Sequence, residues 1–341
     1  MTLHSLSEET LLSSRTARSG LEKLHKADLI ESIPLEEDRR KNLYSLTSTD
    51  RANTRSGEQP SPLVSAEWVE DNLDEFERDN PELRLIEADD EYDQGHIPSA
   101  VQVDVTEDFN EPGRHTLVDR PEFENRMSTR GITENSTVVI YSTRQNQLAA
   151  YLYWLFKYYR HTDVRLLEGG KERWQENGGQ LVEHEPSTTK TEYSAHPSNE
   201  RIRAYRHDIE EALEQDAALL DVRTAEEFTG ESACPIPDLP EARNTGRIPQ
   251  TIHLEWTSVL DDSGEFKERS QLEDIFHEKD IYPHDRVIAY CHVGWRSALI
   301  WFVLSELLNY PDVSNYDGSW IEWGNLVDAP IKGGSDLSES T

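Results

Sequence analysis

Two cysteines, Cys234 and Cys291, are all that the 341 residues contain. That number excludes a disulfide scaffold and a zinc site held by four thiolates. Methionine is equally scarce, and lysine supplies only nine of the 34 basic residues. No apolar run approaches the roughly 18–20 residues that a membrane span needs. The opening Met1–Glu9 has neither a basic nor an apolar stretch, so no secretory signal is visible and a cytoplasmic protein is expected. Positive charge is short as a whole: 34 Lys and Arg face 67 Asp and Glu, a net charge of −33. Such a surface repels nucleic acid wherever it is not locally basic. Its self-repulsion is screened in strong salt, where the Debye length falls to about 3 Å at 1 M, so adaptation to high salt is expected. Aromatic residues are plentiful. With 8 Trp, 13 Tyr and 8 Phe the chain can build packed cores, which rules out global disorder.

The chain repeats itself. Val138-Val139-Ile140-Tyr141-Ser142 matches Val287-Ile288-Ala289-Tyr290-Cys291 at an offset of 149 residues, as Gly169 matches Gly318 and Trp174 matches Trp323. Gly95-His96-Ile97-Pro98 matches Gly246-Arg247-Ile248-Pro249 at 151, and Leu85-Ile86-Glu87 matches Leu219-Leu220-Asp221 at 134. About 17 residues are therefore inserted in the second copy, within the Pro-rich, polar stretch Gly230–Thr245. A period this long means two homologous domains rather than a solenoid. Their expected bounds are 60–185 and 199–332, joined by a polar linker around Pro186 and Pro197.

Each copy alternates strand and helix. Leu83–Ala88, Thr137–Tyr141, Leu219–Val222 and Arg286–Tyr290 are short apolar runs, as strands of a parallel sheet covered on both faces should be. Gln147–Tyr159 and Ser297–Tyr310 are apolar all round, which predicts deeply packed helices. The fold class is α/β, built twice: two tandem domains, each a parallel sheet with helices on both faces.

Residues 1–55 differ from the rest. They carry nine basic and nine acidic residues, so the remaining 286 carry the whole excess of negative charge. A helix is expected over Ser14–Ala27, then two strands, Leu29–Ile33 and Leu43–Leu46, around the charged turn Glu36–Lys41. This resembles part of the winged-helix of transcription regulators, with Arg15-Thr16-Ala17-Arg18 and Asp38-Arg39-Arg40 at the positions that would face DNA. The usual first helix is missing, so a remnant or a partner-binding segment is the plainer reading.

The candidate nucleophile is Cys291. It ends a predicted strand, and Cys291-His292-Val293-Gly294-Trp295-Arg296 leads straight into a helix expected near Ser297. Such a loop aims backbone N–H groups and the positive helix end at whatever sits over the sulfur. Arg296 adds a charge, and together these should stabilise a thiolate and an anionic persulfide. A buried structural cysteine would need none of this. Asp221 is expected to pair with Arg296 and so hold the loop. No metal and no cofactor is called for.

These motifs carry a resemblance. Gly95–Pro98, Leu219–Arg223 with Glu226-Glu227-Phe228, the loop Cys291–Ser297 and the stretch Tyr316–Gly324 resemble, in order, the tandem-domain rhodaneses. That family comprises thiosulfate and 3-mercaptopyruvate sulfurtransferases, and the composition is similar to that of its halophilic archaeal members. The resemblance implies a cysteine, here Cys291, that takes the outer sulfur of thiosulfate as a persulfide and passes it to cyanide or another thiophile. It implies that Arg223 points into the pocket toward the anionic donor, beside Arg296, His292, Val293, Gly294, Trp295 and Ser297. Arg223 read by itself could equally pair with Glu226 or Glu227. Some vertebrate-type members carry an arginine where this chain has Glu227. Ser142 stands where the first domain would have its cysteine, so that domain is expected to be inactive.

Other functions remain open at this point. A phosphatase of the same fold needs five residues between Cys and Arg, and Cys291 and Arg296 are separated by four. A 3-mercaptopyruvate sulfurtransferase, a persulfide carrier for thiolation pathways and a sulfur-sensing DNA-binding regulator would each use the same cysteine. Cys234 is expected to be dispensable, with a regulatory disulfide to Cys291 as the alternative.

Overall fold

The computed structural model describes residues 30–34, 42–46, 61–89, 91–105, 117–215, 217–234 and 239–333. In the N-terminal unit, residues 1–60, strands β1 (Ile30–Pro34) and β2 (Asn42–Leu46) pair antiparallel with Ile30 opposite Leu46. These are the two strands expected around the charged turn. The expected helix over 14–27, and with it the DNA-facing arginines, lies outside the described residues.

The unit from residue 61 onward holds two sheets of identical construction. The first comprises β3 (Leu63–Val64), β4 (Leu83–Glu87), β5 (Val101–Gln102), β6 (Thr137–Tyr141) and β7 (Val164–Leu167), in the order β3-β7-β6-β4-β5. The second comprises β8 (Arg203–Ala204), β9 (Ala218–Asp221), β10 (Ile252–His253), β11 (Val287–Tyr290) and β12 (Val313–Tyr316). Its order is β8-β12-β11-β9-β10, the same path, and every pairing in both sheets is parallel. The four apolar runs of the sequence are β4, β6, β9 and β11, and the repeat is thus a repeat of topology.

Side chains alternate across a strand, and that alternation sorts the core. Val139 and Tyr141 face an outer core with Leu85, Phe76 and Trp174, while Val138 and Ile140 face the middle of the molecule. In the second sheet Ile288 and Tyr290 face outward with Leu219 and Trp320, whereas Val287, Ala289 and Cys291 face inward. One central core therefore joins the two inner faces. It encloses helices α1 (Gln147–Tyr158) and α3 (Trp295–Phe302), with α2 (Ala225–Thr229) and α4 (Ser319–Trp323) outside it. The all-round apolar character of α1 and α3 now has its cause: each covers its own sheet and packs on the other helix. Tyr153 meets Phe302 edge-on at 4.8 Å and its hydroxyl donates to Glu306 at 2.8 Å. Beyond Phe302 the predicted helix widens into a π-turn, Val303–Leu307.

The strand ends are clamped alike in both sheets. The Tyr141 hydroxyl donates to Glu87 at 2.5 Å and accepts the Ile97 N–H at 2.9 Å. The Tyr290 hydroxyl donates to Asp221 at 2.6 Å and accepts the Ile248 N–H at 3.2 Å. This ties each Gly-x-Ile-Pro loop to its central strand. The buried carboxylate is balanced by Lys171 at 2.6 Å in the first domain and by Arg223 at 2.6 Å in the second.

One buried histidine makes the first domain acid-sensitive. His161 lies between Tyr193 Oη (2.9 Å) and the Ser136 carbonyl (2.8 Å), and burial depresses its pKa from 6.5 to about 4. The carbonyl can only accept, so Nε2 carries the proton and Nδ1 takes the Tyr193 hydroxyl. Below pH 6.5 the unfolded chain binds a proton that the folded one refuses, so this contribution to stability is whole above pH 6.5 and lost as pH falls to 4. The loss amounts to about 3 kcal/mol. Denaturant unfolding at a series of pH values should show wild type losing that much more than His161→Gln across this window; parallel curves would contradict the assignment.

Candidate active site

Cys291 follows β11 and has no exposed surface. Its backbone N–H donates to Ser319 Oγ at 3.1 Å, and that hydroxyl donates to the Tyr316 carbonyl at 2.7 Å. The loop then climbs into α3, which begins at Trp295, two residues earlier than expected. Gly294 makes the turn possible. Its φ is +90°, and a Cβ there would stand 2.9 Å from Asp317 Cα, so only glycine fits. The turn brings the Gly294 N–H to 3.2 Å from Cys291 Sγ, and the helix N-terminus places its positive end over the same sulfur. A thiolate gains from both.

Two groups outside the loop fix its shape. Asn315, on β12, donates to the Gly294 carbonyl at 3.1 Å and accepts the Ser297 hydroxyl at 2.7 Å. Ser297 Oγ lies 3.6 Å from Sγ. The first N–H groups of α4 close the far side: Trp320 N–H donates to the Cys291 carbonyl at 3.0 Å and Ile321 N–H to the His292 carbonyl at 2.9 Å. The stretch Tyr316–Trp323 thus buttresses the loop. Neither Asn315 nor Ser319 stands out in the sequence, although the repeated Gly169/Gly318 marks the turn before α4.

The charges pair differently from the sequence expectation. Asp221 does not hold Arg296. It takes Arg223, with Nη2 at 2.6 Å and Nε at 3.0 Å, and also the Tyr290 hydroxyl. The reason is local: residues two apart in an extended chain share a face, which puts Asp221 and Arg223 side by side. Arg296 instead forms a buried bidentate pair with Glu227 on α2, at 2.6 and 2.9 Å. Glu227 also caps α2 by accepting the Thr224 N–H. Arg223 makes no pair with Glu226 or Glu227. Its guanidinium also donates to the Gly246 carbonyl at 2.7 Å and lies 4.5 Å from the Trp320 ring.

The structure brings the remaining site residues together at this loop. His292 is buried, with Nε2 at 2.9 Å from the Pro240 carbonyl, and burial pushes its pKa down. Trp295 is buried in the central core, and Val293 packs partly buried against that core. Cys234, partly exposed, is not joined to Cys291. Glu227, Cys234 and His292 each bring one ligand-type atom to within 4.8 Å of the others.

The matching loop of the first domain is filled. Asn146 turns back and accepts the Ser142 N–H at 2.9 Å while donating to the Leu167 carbonyl at 2.6 Å. Three successive residues, Arg144, Gln145 and Asn146, hold positive φ to allow this. The Ser142 hydroxyl donates to the Thr143 carbonyl and accepts the Ala149 N–H. Among the described residues no base addresses it.

Comparison with known proteins agrees with this picture. The rhodanese-like domain family matches at residues 65–177 and again at 206–326. A Haloferax volcanii protein named "Putative thiosulfate sulfurtransferase" is 43% identical over 277 residues, which covers 80% of this chain and 96% of that one. The Thermus thermophilus sulfur carrier protein TtuD is 39% identical over 286 residues, 81% of this chain and 98% of its own. Among solved structures, wild-type EanB superposes with a TM-score of 0.71 at 28% identity, covering 84% of this chain and 72% of EanB. Another EanB structure is described as a cysteine persulfide with ergothioneine. The chain belongs to the rhodanese-like family, with two copies of the domain.

Proposed function

We propose that the protein is a thiosulfate sulfurtransferase whose second domain, residues 199–332, works through a persulfide on Cys291, with residues 60–185 as the inactive copy. The observation that carries this reading is the sulfur's setting: Sγ accepts a backbone N–H at the start of a buried helix, in a loop braced from three other elements. The Cys291 thiolate attacks the outer sulfur of thiosulfate. The sulfur–sulfur bond of the donor breaks and sulfite leaves with its electron pair. Cyanide or another thiophile then attacks the outer sulfur of the persulfide, giving thiocyanate in the case of cyanide, and the thiolate is restored. The Gly294 N–H and the helix end stabilise negative charge in both states of the sulfur. Asn315 and Ser297 keep the loop open around it, and Trp295 walls the site. Phosphate chemistry is disfavoured, because the Arg296 fork is committed to Glu227 rather than to a cradle over the sulfur.

Arg223 and Arg296 are each paired with a carboxylate, Asp221 and Glu227, so neither offers the donor dianion a bare charge, and the Gly294 N–H with the helix end carries the anion stabilisation. Thiosulfate remains the expected donor over 3-mercaptopyruvate. The mercaptopyruvate branch resembles Cys-Gly-Ser-Gly in this loop, and the bulky His292 and Trp295 depart from it. Initial rates with both donors and cyanide test this: kcat/KM should favour thiosulfate. A preference for 3-mercaptopyruvate would overturn the donor and leave the persulfide chemistry standing. A sulfur-carrier role is the second reading, supported by the likeness to TtuD; it keeps the same persulfide and exchanges cyanide for a protein acceptor.

A further inference from the structure

We propose that Glu227, Cys234 and His292 form a binding site for a soft divalent cation of the zinc class, set against the outside of the catalytic loop. Their three ligand atoms, one sulfur, one nitrogen and one carboxylate oxygen, lie within 4.8 Å of one another. Ligands of a tetrahedral zinc ion at bond lengths of about 2.0–2.3 Å stand about 3.5 Å apart, so contraction of about 1 Å completes the set. Cysteine, histidine and a carboxylate are three of zinc's usual donors, and three protein ligands leave the fourth position open.

The histidine supplies the independent sign. The Pro240 carbonyl can only accept, so the Nε2 atom 2.9 Å from it carries the ring proton. Nδ1 then presents a bare lone pair, and it is buried without a hydrogen-bond partner. A buried acceptor left unmet is unfavourable, and a bound cation would satisfy it. A ring that donates one N–H to a backbone carbonyl and leaves the other nitrogen free is how a metal-binding histidine is held. His292 is nearly fully buried, and together with Cys234 it lines a cavity of about 10 Å³, the size of one water or one bare ion.

Glu227 can serve without releasing Arg296. Oε2 accepts Nη1 of Arg296 and the Thr224 N–H, while among the described residues Oε1 accepts Nη2 alone, which leaves it a second lone pair. A carboxylate ligand that is itself hydrogen-bonded is the usual arrangement. The nearby guanidinium opposes any cation. The site therefore selects an ion that gains most from a thiolate, and disfavours hard ions that seek oxygen alone. Because His292 and Glu227 both hold the loop of Cys291, occupancy should stiffen that loop and slow sulfur transfer. This second consequence rests on the persulfide reading above; the binding itself does not.

Cadmium titration of the full chain tests the site, with heat and the thiolate-to-metal ultraviolet band as readouts. In the Cys291→Ser background one equivalent of Cd²⁺ should bind and raise the band. Adding Cys234→Ser should abolish the band and weaken binding at least about tenfold, and adding His292→Asn should weaken it about tenfold with the band retained. No binding in the Cys291→Ser chain, or equal binding after Cys234→Ser, would overturn the proposal. In turnover, Zn²⁺ should inhibit wild type at least about tenfold more tightly than Cys234→Ser; equal inhibition would refute the link to catalysis. A chain without sulfurtransferase activity would still give the cadmium readout, so the two failures are distinguishable.

Discussion

Cys291→Ser should abolish sulfur transfer, lowering kcat/KM by at least about a thousandfold, while Ser142→Ala and Cys234→Ser keep most of the activity. A hydroxyl is a far weaker nucleophile than a thiolate at neutral pH and needs a base to activate it. Among the described residues the groups bonded to this sulfur are the Gly294 N–H and the Ser297 hydroxyl, neither of which is a base. The first domain already displays the outcome: at the equivalent strand end, Ser142 is absorbed into backbone hydrogen bonds. Oxygen replaces sulfur with little change of shape, so the variant should fold as wild type. Steady-state thiocyanate formation compares the three variants. If Cys234→Ser were as inactive as Cys291→Ser, the nucleophile would have to be reassigned.

Glu227→Ala should be the most destabilising single change near the site, at about 3–5 kcal/mol. The pair it breaks is bidentate and almost wholly withdrawn from water: the side chains of Arg296 and Glu227 are 3% and 2% exposed. The cost arises because the arginine stays charged in a buried place once its partner is gone. Glu227→Gln, which keeps the shape and one acceptor, should cost less. Removing both charges as Glu227→Leu with Arg296→Met should recover much of the stability and little of the activity, since the loop would lose its anchor to α2. Denaturant midpoints of the three variants give the comparison. A loss below about 1 kcal/mol for Glu227→Ala would mean that the pair behaves as a surface ion pair.

Much of this architecture is legible in the residues. The paired runs Val138–Tyr141 and Val287–Tyr290 are the central strands, and the offset of 149 between Ser142 and Cys291 sets the serine loop of the first domain against the cysteine loop of the second. The apolar sides of Gln147–Tyr158 and Trp295–Phe302 show that both helices are buried, but not that they bury each other, since periodicity is silent about partners. The pairing of charges was half legible. Asp221 and Arg223 lie two apart in extended chain, so their contact follows from strand geometry. Arg296 and Glu227 are 69 residues apart and meet only because the sheet order sets α2 beside the loop. Asn315 and Ser319 act through the register of β12 with β11, which no spacing encodes. The filling of the first-domain loop by Asn146 depends on three consecutive left-handed residues, none of them glycine, and so gives no warning in the sequence.

The persulfide on Cys291 is tested most directly by intact mass of the full chain after incubation with thiosulfate, before and after cyanide. The expected result is a gain of one sulfur atom that maps to the peptide containing Cys291, vanishes on addition of cyanide, and does not occur in Cys291→Ser. A chain that turns over thiosulfate without gaining that sulfur, or that gains it at Cys234 instead, would contradict the account.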